Sequence, residues 1–158
     1  MLNKHKIIFL ICLGIVGVVI VLTVRQIVDQ TAQKIPVKVY QQKALTIRDT
    51  TVSASVANTD ALRELGLSDR KSLAANAGML FVFEAPDRYS FWMKDMYFPL
   101  DLLWISADHI VVDITENATP ESFPATFSPK APAQFVLEVN AGFVAQHHLV
   151  VGDFVGGL

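Results

Sequence analysis

Five side chains hold most of the chemistry that this chain's residue spacing allows. Arg70, Trp92, Lys94, Asp101 and Glu138 stand inside or at the ends of apolar runs, where a polar group needs a reason to be. Trp92 and Lys94 alternate with Phe91 and Met93, so on an extended strand the indole and the ammonium share one face. An aromatic face with a neighbouring cation and carboxylates suits a sugar ring or an anionic small molecule. The competing account buries both faces of this strand, with Trp92 in the core and Lys94 reaching outward to water. Asp101 opens an apolar strand after Pro99-Leu100, and Glu138 interrupts another. A buried carboxylate must be paired or hydrogen-bonded. Pairing with Arg70 or Lys94 would pin the fold, whereas two facing carboxylates would perform acid–base hydrolysis of the glycoside-hydrolase kind. Structural pairing ranks first, ligand binding second and hydrolysis third.

Other constellations fall away on spacing. His147-His148 is a poor metal handle, because adjacent helical residues point about 100° apart. Cys12 is the only cysteine and lies in an apolar run, which excludes a disulfide or a cysteine-based metal site in the rest of the chain. Gly152-Asp153 beside Gly156-Gly157 lacks the lysine and helix of a phosphate loop and reads as a turn. Neither a cofactor nor a metal is expected.

The elements that must position these residues are mostly short strands. Thr51 to Ala57 alternates Val52, Ala54 and Val56 against polar residues, the mark of a half-buried strand. Asn58 and Thr59 can cap a short helix over Asp60 to Leu65, ended by Gly66. In Met79 to Glu84 both faces are apolar, which predicts a central strand, with Met79, Phe81 and Phe83 together on one of them. A turn at Pro86-Asp87 leads to a strand through Lys94, and Pro99 breaks the chain before the next. Leu100 to Ile105 and Ile110 to Ile114 flank an Ala107-Asp108 turn and predict a hairpin. Four prolines between Asn117 and Pro132 predict a long loop or ragged edge. Gln134 to Asn140 is a further strand, Ala141 to His148 a helical turn, and Val150 to Gly156 closes the domain. The stretch from Gly78 to Ser106 holds four of the ten phenylalanines and both tryptophans, so the core is expected to be built from it. These patterns predict a mainly β domain with short helices, a compact β-sandwich or barrel-like fold.

The first part of the chain is different. Ile7 to Val24 carries no charge, and as a helix it would be about 27 Å long, enough to cross a hydrocarbon core. With Lys4, His5 and Lys6 before it and no small-residue cleavage site after it, the run reads as an uncleaved signal anchor. The expected organisation is a short cytoplasmic tail (1–6), a transmembrane helix (7–24), a juxtamembrane linker (25–45) and a β domain (46–158). The compact basic cluster favours the N-terminus inside and the domain on the periplasmic or extracellular side of the cytoplasmic membrane. Residues 1–43 hold six basic and one acidic side chain, whereas residues 44–158 hold seven and fourteen, a balance of −7. Such an acidic domain argues against a nucleic-acid partner.

Residues 50–158 resemble the domain-of-unknown-function family 192. The resemblance rests on Gly66-Leu67 with Arg70 and Leu73, Gly78-Met79-Leu80-Phe81-Val82-Phe83, Phe91-Trp92-Met93-Lys94 and Pro99-Leu100-Asp101. It continues through Pro120, Leu137-Glu138 with Ala141-Gly142, and Gly152-Asp153. It implies a compact, mainly β domain, often carried behind a signal peptide or membrane anchor, with no settled activity. This chain departs from the family pattern at Ser68, where methionine is more usual, and at Asp95-Met96, where Asn-Thr is common. Together these readings predict an anchored extracytoplasmic domain that binds a small molecule or glycan through Arg70, Trp92, Lys94, Asp101 and Glu138. The alternative is a structural or protein-interaction accessory domain of the cell envelope.

Overall fold

A computed structural model describes residues 20–26 and 40–158. Residues 20–26 are helical with exposed side chains. Most of the apolar run read as a membrane span lies outside the described residues, and among these no helix is long and apolar enough to cross a membrane. The unit Tyr40–Leu158 is compact in its own right. Its first strand already starts at Gln41, so the linker expected to run to residue 45 gives way to the sheet earlier.

The strands are β1 (Gln41–Ile47), β2 (Thr50–Ala57), β3 (Ala77–Asp87), β4 (Phe91–Trp92), β5 (Leu100–Ile105), β6 (Val111–Ala118), β7 (Thr126–Phe127), β8 (Ala133–Asn140) and β9 (Val155–Gly156). Two short helices join them, α1 (Asp60–Leu65) and α2 (Phe143–Gln146). Seven strands form one sheet in the order β6-β5-β8-β3-β2-β1-β9, and β4 with β7 makes a separate two-stranded ribbon. The domain is therefore mainly β, as expected, but it is one curled sheet, a half-barrel, and not two packed sheets. Every pairing in the large sheet is antiparallel except β2 with β3. That parallel pair needs a crossover, and α1 supplies it.

The C-terminal segment bridges both edges of the sheet. β9 pairs with β1 through Thr46↔Gly156 and Ile47↔Val155. The residues just before it bond to the head of β6: Phe154 bridges Ile110, and the Val111 N–H donates to the Asp153 carbonyl at 2.9 Å. Strand alternation then sorts the core into two clusters. One face gathers Leu45, Ile47, Val52, Leu80, Leu103, Ile105, Leu137, Val139 and Val155 with α2. The other gathers Met79, Phe81, Leu100, Leu102, Trp104 and Val136, and is covered by Leu62, Leu67, Met93 and Phe91. At Gly78, β3 lies too close to β8 for a side chain. A Cβ there would lie 2.8 Å from the Glu138 carbonyl oxygen, a distance real side chains do not tolerate.

Two sequence expectations change. The segment through Lys94 pairs only at Phe91 and Trp92, because its partner is the short β7 and not the large sheet. β3 continues to Asp87, past the turn expected at Pro86-Asp87. The Leu100–Ile105 hairpin, the α1 caps, the β8 strand and the helical turn near Phe143 form where the sequence places them.

Candidate functional site

Alternation decides which polar residues can meet. On β8, Glu138 lies opposite Met79 of β3 and Leu102 of β5, whereas Asp101 of β5 lies opposite Val139. Paired residues share a face and neighbours alternate, so Glu138 and Asp101 point to opposite faces of the sheet. They do not form a carboxylate pair.

Asp101 is fully buried, and both its oxygens are used. Oδ1 accepts from the Asn117 N–H at 2.9 Å and Oδ2 from the Val144 N–H at 3.0 Å. Asn117 sits where the β5–β6 register slips and has φ 51°, so its N–H has left the ladder. Val144 lies in the first turn of α2, where N–H groups lack intrahelical acceptors. One carboxylate thus satisfies two orphan donors and fastens α2 to the sheet. The ion pair expected from Arg70 or Lys94 does not form. Arg70 instead stacks over the Tyr40 ring, 5.3 Å from its centroid, and Lys94 is exposed, with its carbonyl accepting from the Ser68 hydroxyl at 3.1 Å.

Glu138 is the unusual group. It is 6% exposed, and its Oε2 has no hydrogen-bond partner among the described residues. Burial pushes its carboxyl up to about 8 from the ordinary 4.5, so near neutral pH it is mostly protonated. It forms part of the lining of a cavity of about 390 Å³ on the face covered by α1 and the ribbon. Aromatic side chains dominate that lining: Phe81 and Phe83 from β3, Tyr89 from the following turn, and Phe91 and Trp92 from the ribbon. Phe83 and Tyr89 stack at 3.6 Å between centroids. The Phe91 ring stands nearly perpendicular to Phe81 (83°) and to Phe83 (78°). Trp92 is half exposed, which settles its role against a core tryptophan; the core indole is Trp104, whose Nε1–H donates to Thr115 Oγ1 at 3.0 Å.

The opposite wall is α1 and the turn after it, contributing Arg63, Glu64, Leu65, Gly66, Leu67 and Ser68. Thr59 caps the helix and Gly66 ends it with φ 51°. A Cβ on Gly66 would sit 3.3 Å from the edge of Phe81, so glycine is needed there for conformation and for space. Arg63 is engaged through two of its nitrogens: it donates to the Val82 carbonyl and to Asp60, each at 2.6 Å, while lying 5.1 Å over the Phe83 ring. Ser68 and Ser90 are also engaged, the first on Lys94, the second with Ser128 at 2.9 Å. Of the departures from the family pattern, Ser68 and Met96 line this cavity and Asp95 does not.

Of the five residues singled out in the sequence, the cavity brings together Trp92 and Glu138; Arg70, Lys94 and Asp101 are not in its lining. Arg63, Glu64 and the Phe81–Tyr89 aromatics were not foreseen as site residues. The shared face of Phe81 and Phe83 was legible from alternation, but nothing in the sequence says that α1 would dock beside it. No group of three or more histidine, cysteine, aspartate or glutamate side chains among the described residues is placed to hold a metal.

Two solved structures resemble the domain closely. A candidate transcription regulator from Sinorhizobium meliloti 1021 is 34% identical, with a TM-score of 0.72 over 75% of this chain and 95% of its own. A protein of unknown function from Novosphingobium aromaticivorans DSM 12444 is 30% identical, with a TM-score of 0.71 over 77% of this chain and 89% of its own. Comparison with curated proteins gives no match. The DUF192 family model, described as an uncharacterized ACR, matches residues 43–157, nearly the whole β domain, and the chain belongs to that family.

Proposed function

We propose that the β domain is a small-molecule-binding module whose site is the aromatic cavity over Glu138, carried outside the cytoplasm on an N-terminal membrane anchor. The observation that carries the reading is the unpartnered, buried Glu138 carboxyl in an aromatic lining. A buried polar group without a partner costs about 1–3 kcal/mol, and a bound ligand is a partner. Trp92 supports it further, as a large half-exposed aromatic in the same lining. The Sinorhizobium relative's description as a transcription regulator does not extend readily here, because a domain with a balance of −7 offers poor footing for phosphates.

A thermal-shift screen of the purified full chain against sugars, organic anions, nucleotides and amines tests the reading. A ligand at a hundred times its Kd adds about 2.7 kcal/mol. The expected result is a raised midpoint that Trp92→Ala abolishes. No shift with any class in the folded protein refutes it. Protease accessibility in spheroplasts tests the placement of the domain: digestion without lysis is expected, and protection until lysis places it inside.

One observation favours a protein-interaction role as the second reading. The C-terminal turn exposes Val150, Val151 and Phe154, each more than half accessible. Sedimentation of the full chain and a Val151→Asp variant checks it: concentration-dependent association lost in the variant supports docking there, and identical monomers speak against self-association.

A further inference from the structure

The chemistry around Glu138 narrows the class of ligand. Five aromatic rings line the cavity, those of Phe81, Phe83, Tyr89, Phe91 and Trp92; Phe91 meets Phe81 and Phe83 edge to face, and Phe83 is stacked on Tyr89 with Arg63 over it. A π face attracts a cation, and the half-exposed indole of Trp92 is the ring of this lining not packed against another. Among the polar side chains of the lining, Arg63, Ser68, Ser90 and Tyr89 are already engaged, the tyrosine hydroxyl donating to the Ala85 carbonyl at 2.7 Å. The unengaged acceptors are carboxyls: Glu138, buried, and Glu64, exposed on α1.

Resting on the binding reading above, we infer that the ligand is an alkylated ammonium cation, held against this aromatic lining and neutralised by Glu138. A primary ammonium brings three N–H donors that need acceptors, and phenyl rings are poor ones. An ammonium clothed in carbon places methyl or methylene groups against the rings and needs only one counter-charge. A neutral sugar would leave most of its hydroxyls unpaired against phenyl rings. The groups that share the cavity with Glu138 and bear on its charge are Arg63, Glu64 and Tyr89. Arg63 already has its own counterion in Asp60, so it does not replace the ligand's charge. The strand neighbours of Glu138, Met79 and Leu102, are apolar.

The inference has a thermodynamic signature. Free, the carboxyl holds a proton near neutral pH because burial disfavours its charge. A fixed cation reverses that preference, so the carboxyl ionises and its proton leaves to solvent. The test is calorimetric titration of the full chain with choline and with 3,3-dimethylbutan-1-ol, the neutral isostere, in two buffers of different ionisation enthalpy. Choline is expected to bind at least about tenfold tighter than the alcohol and to release close to one proton per site at pH 7. Its affinity should rise about tenfold from pH 6 to pH 7 and level off above pH 8. Glu138→Gln should abolish the proton release and the preference for choline, whereas Trp92→Ala should weaken both ligands. Equal binding of alcohol and choline, or choline binding without proton release, overturns the ammonium assignment while leaving a binding pocket. Binding of neither, together with no shift in the broad screen, overturns both readings.

Discussion

Replacing Glu138 with glutamine should make this domain more stable. The two side chains have the same shape, and both leave a polar group facing the cavity, so what differs is ionisation. In the unfolded chain the carboxyl titrates at its ordinary value, 4.5, and in the folded domain at about 8. The folded state therefore binds the proton more tightly, and the glutamate's contribution to stability is most favourable below about pH 4.5 and declines as pH rises towards 8. Each unit of pH between those limits removes about 1.4 kcal/mol, which comes to roughly 3 kcal/mol at pH 7 and roughly 5 above pH 8. Glutamine carries no such term. Chemical denaturation of the two proteins at pH 5, 6, 7 and 8, without ligand, should give curves that nearly meet at pH 5 and diverge steadily. At pH 7 the variant's midpoint should lie on the order of 10 °C higher in a thermal melt. Parallel stability profiles, or a variant less stable at pH 7, would refute the reasoning, since they require Glu138 to be ionised and paired in the folded state. A site that withholds stability in this manner is the pattern expected where function and folding compete.

The remaining expectations separate binding residues from structural ones. Trp92→Ala removes a half-exposed ring and should cost less than about 1 kcal/mol of stability in a denaturant titration, while abolishing ligand-induced shifts. Asp101→Asn keeps one acceptor but turns an amide towards the other backbone donor; it should lose about 2–3 kcal/mol by the same titration and leave ligand affinity untouched. Gly78→Ala forces a methyl onto the Glu138 carbonyl and should cost at least about 2 kcal/mol, read as a lowered denaturation midpoint. Lys94→Ala should change neither quantity, because its side chain is exposed and absent from the cavity lining.

Local patterns in the sequence mapped well onto local structure. The alternation of Val52, Ala54 and Val56 produced β2, and Thr59 with Gly66 bounded α1 as their side-chain chemistry requires. What the sequence could not decide was pairing. A period of two is the same for parallel and antiparallel strands, so the β2–β3 crossover was not legible. The same limit applies to the site. Both Asp101 and Glu138 interrupt apolar runs, and only the register of β5 against β8 reveals that one faces α2 and the other an aromatic cavity. Phe91-Trp92-Met93-Lys94 read as a full strand because its alternation is regular, yet β7 offers only two residues to pair with it.

The bridging of both sheet edges by residues 150–156 bears on how the domain comes into being. Translation proceeds from the N-terminus, so β1 and the head of β6 wait, with unpaired backbone, for a segment made more than a hundred residues after β1. During that interval the nascent polypeptide presents two open strand edges, the surfaces on which foreign strands most readily add. A shielding chaperone, or rapid release, would matter most then. Once Val155 and Gly156 arrive, the end of β1 and the head of β6 are tied by the same short segment, and both edges are shortened in a single step.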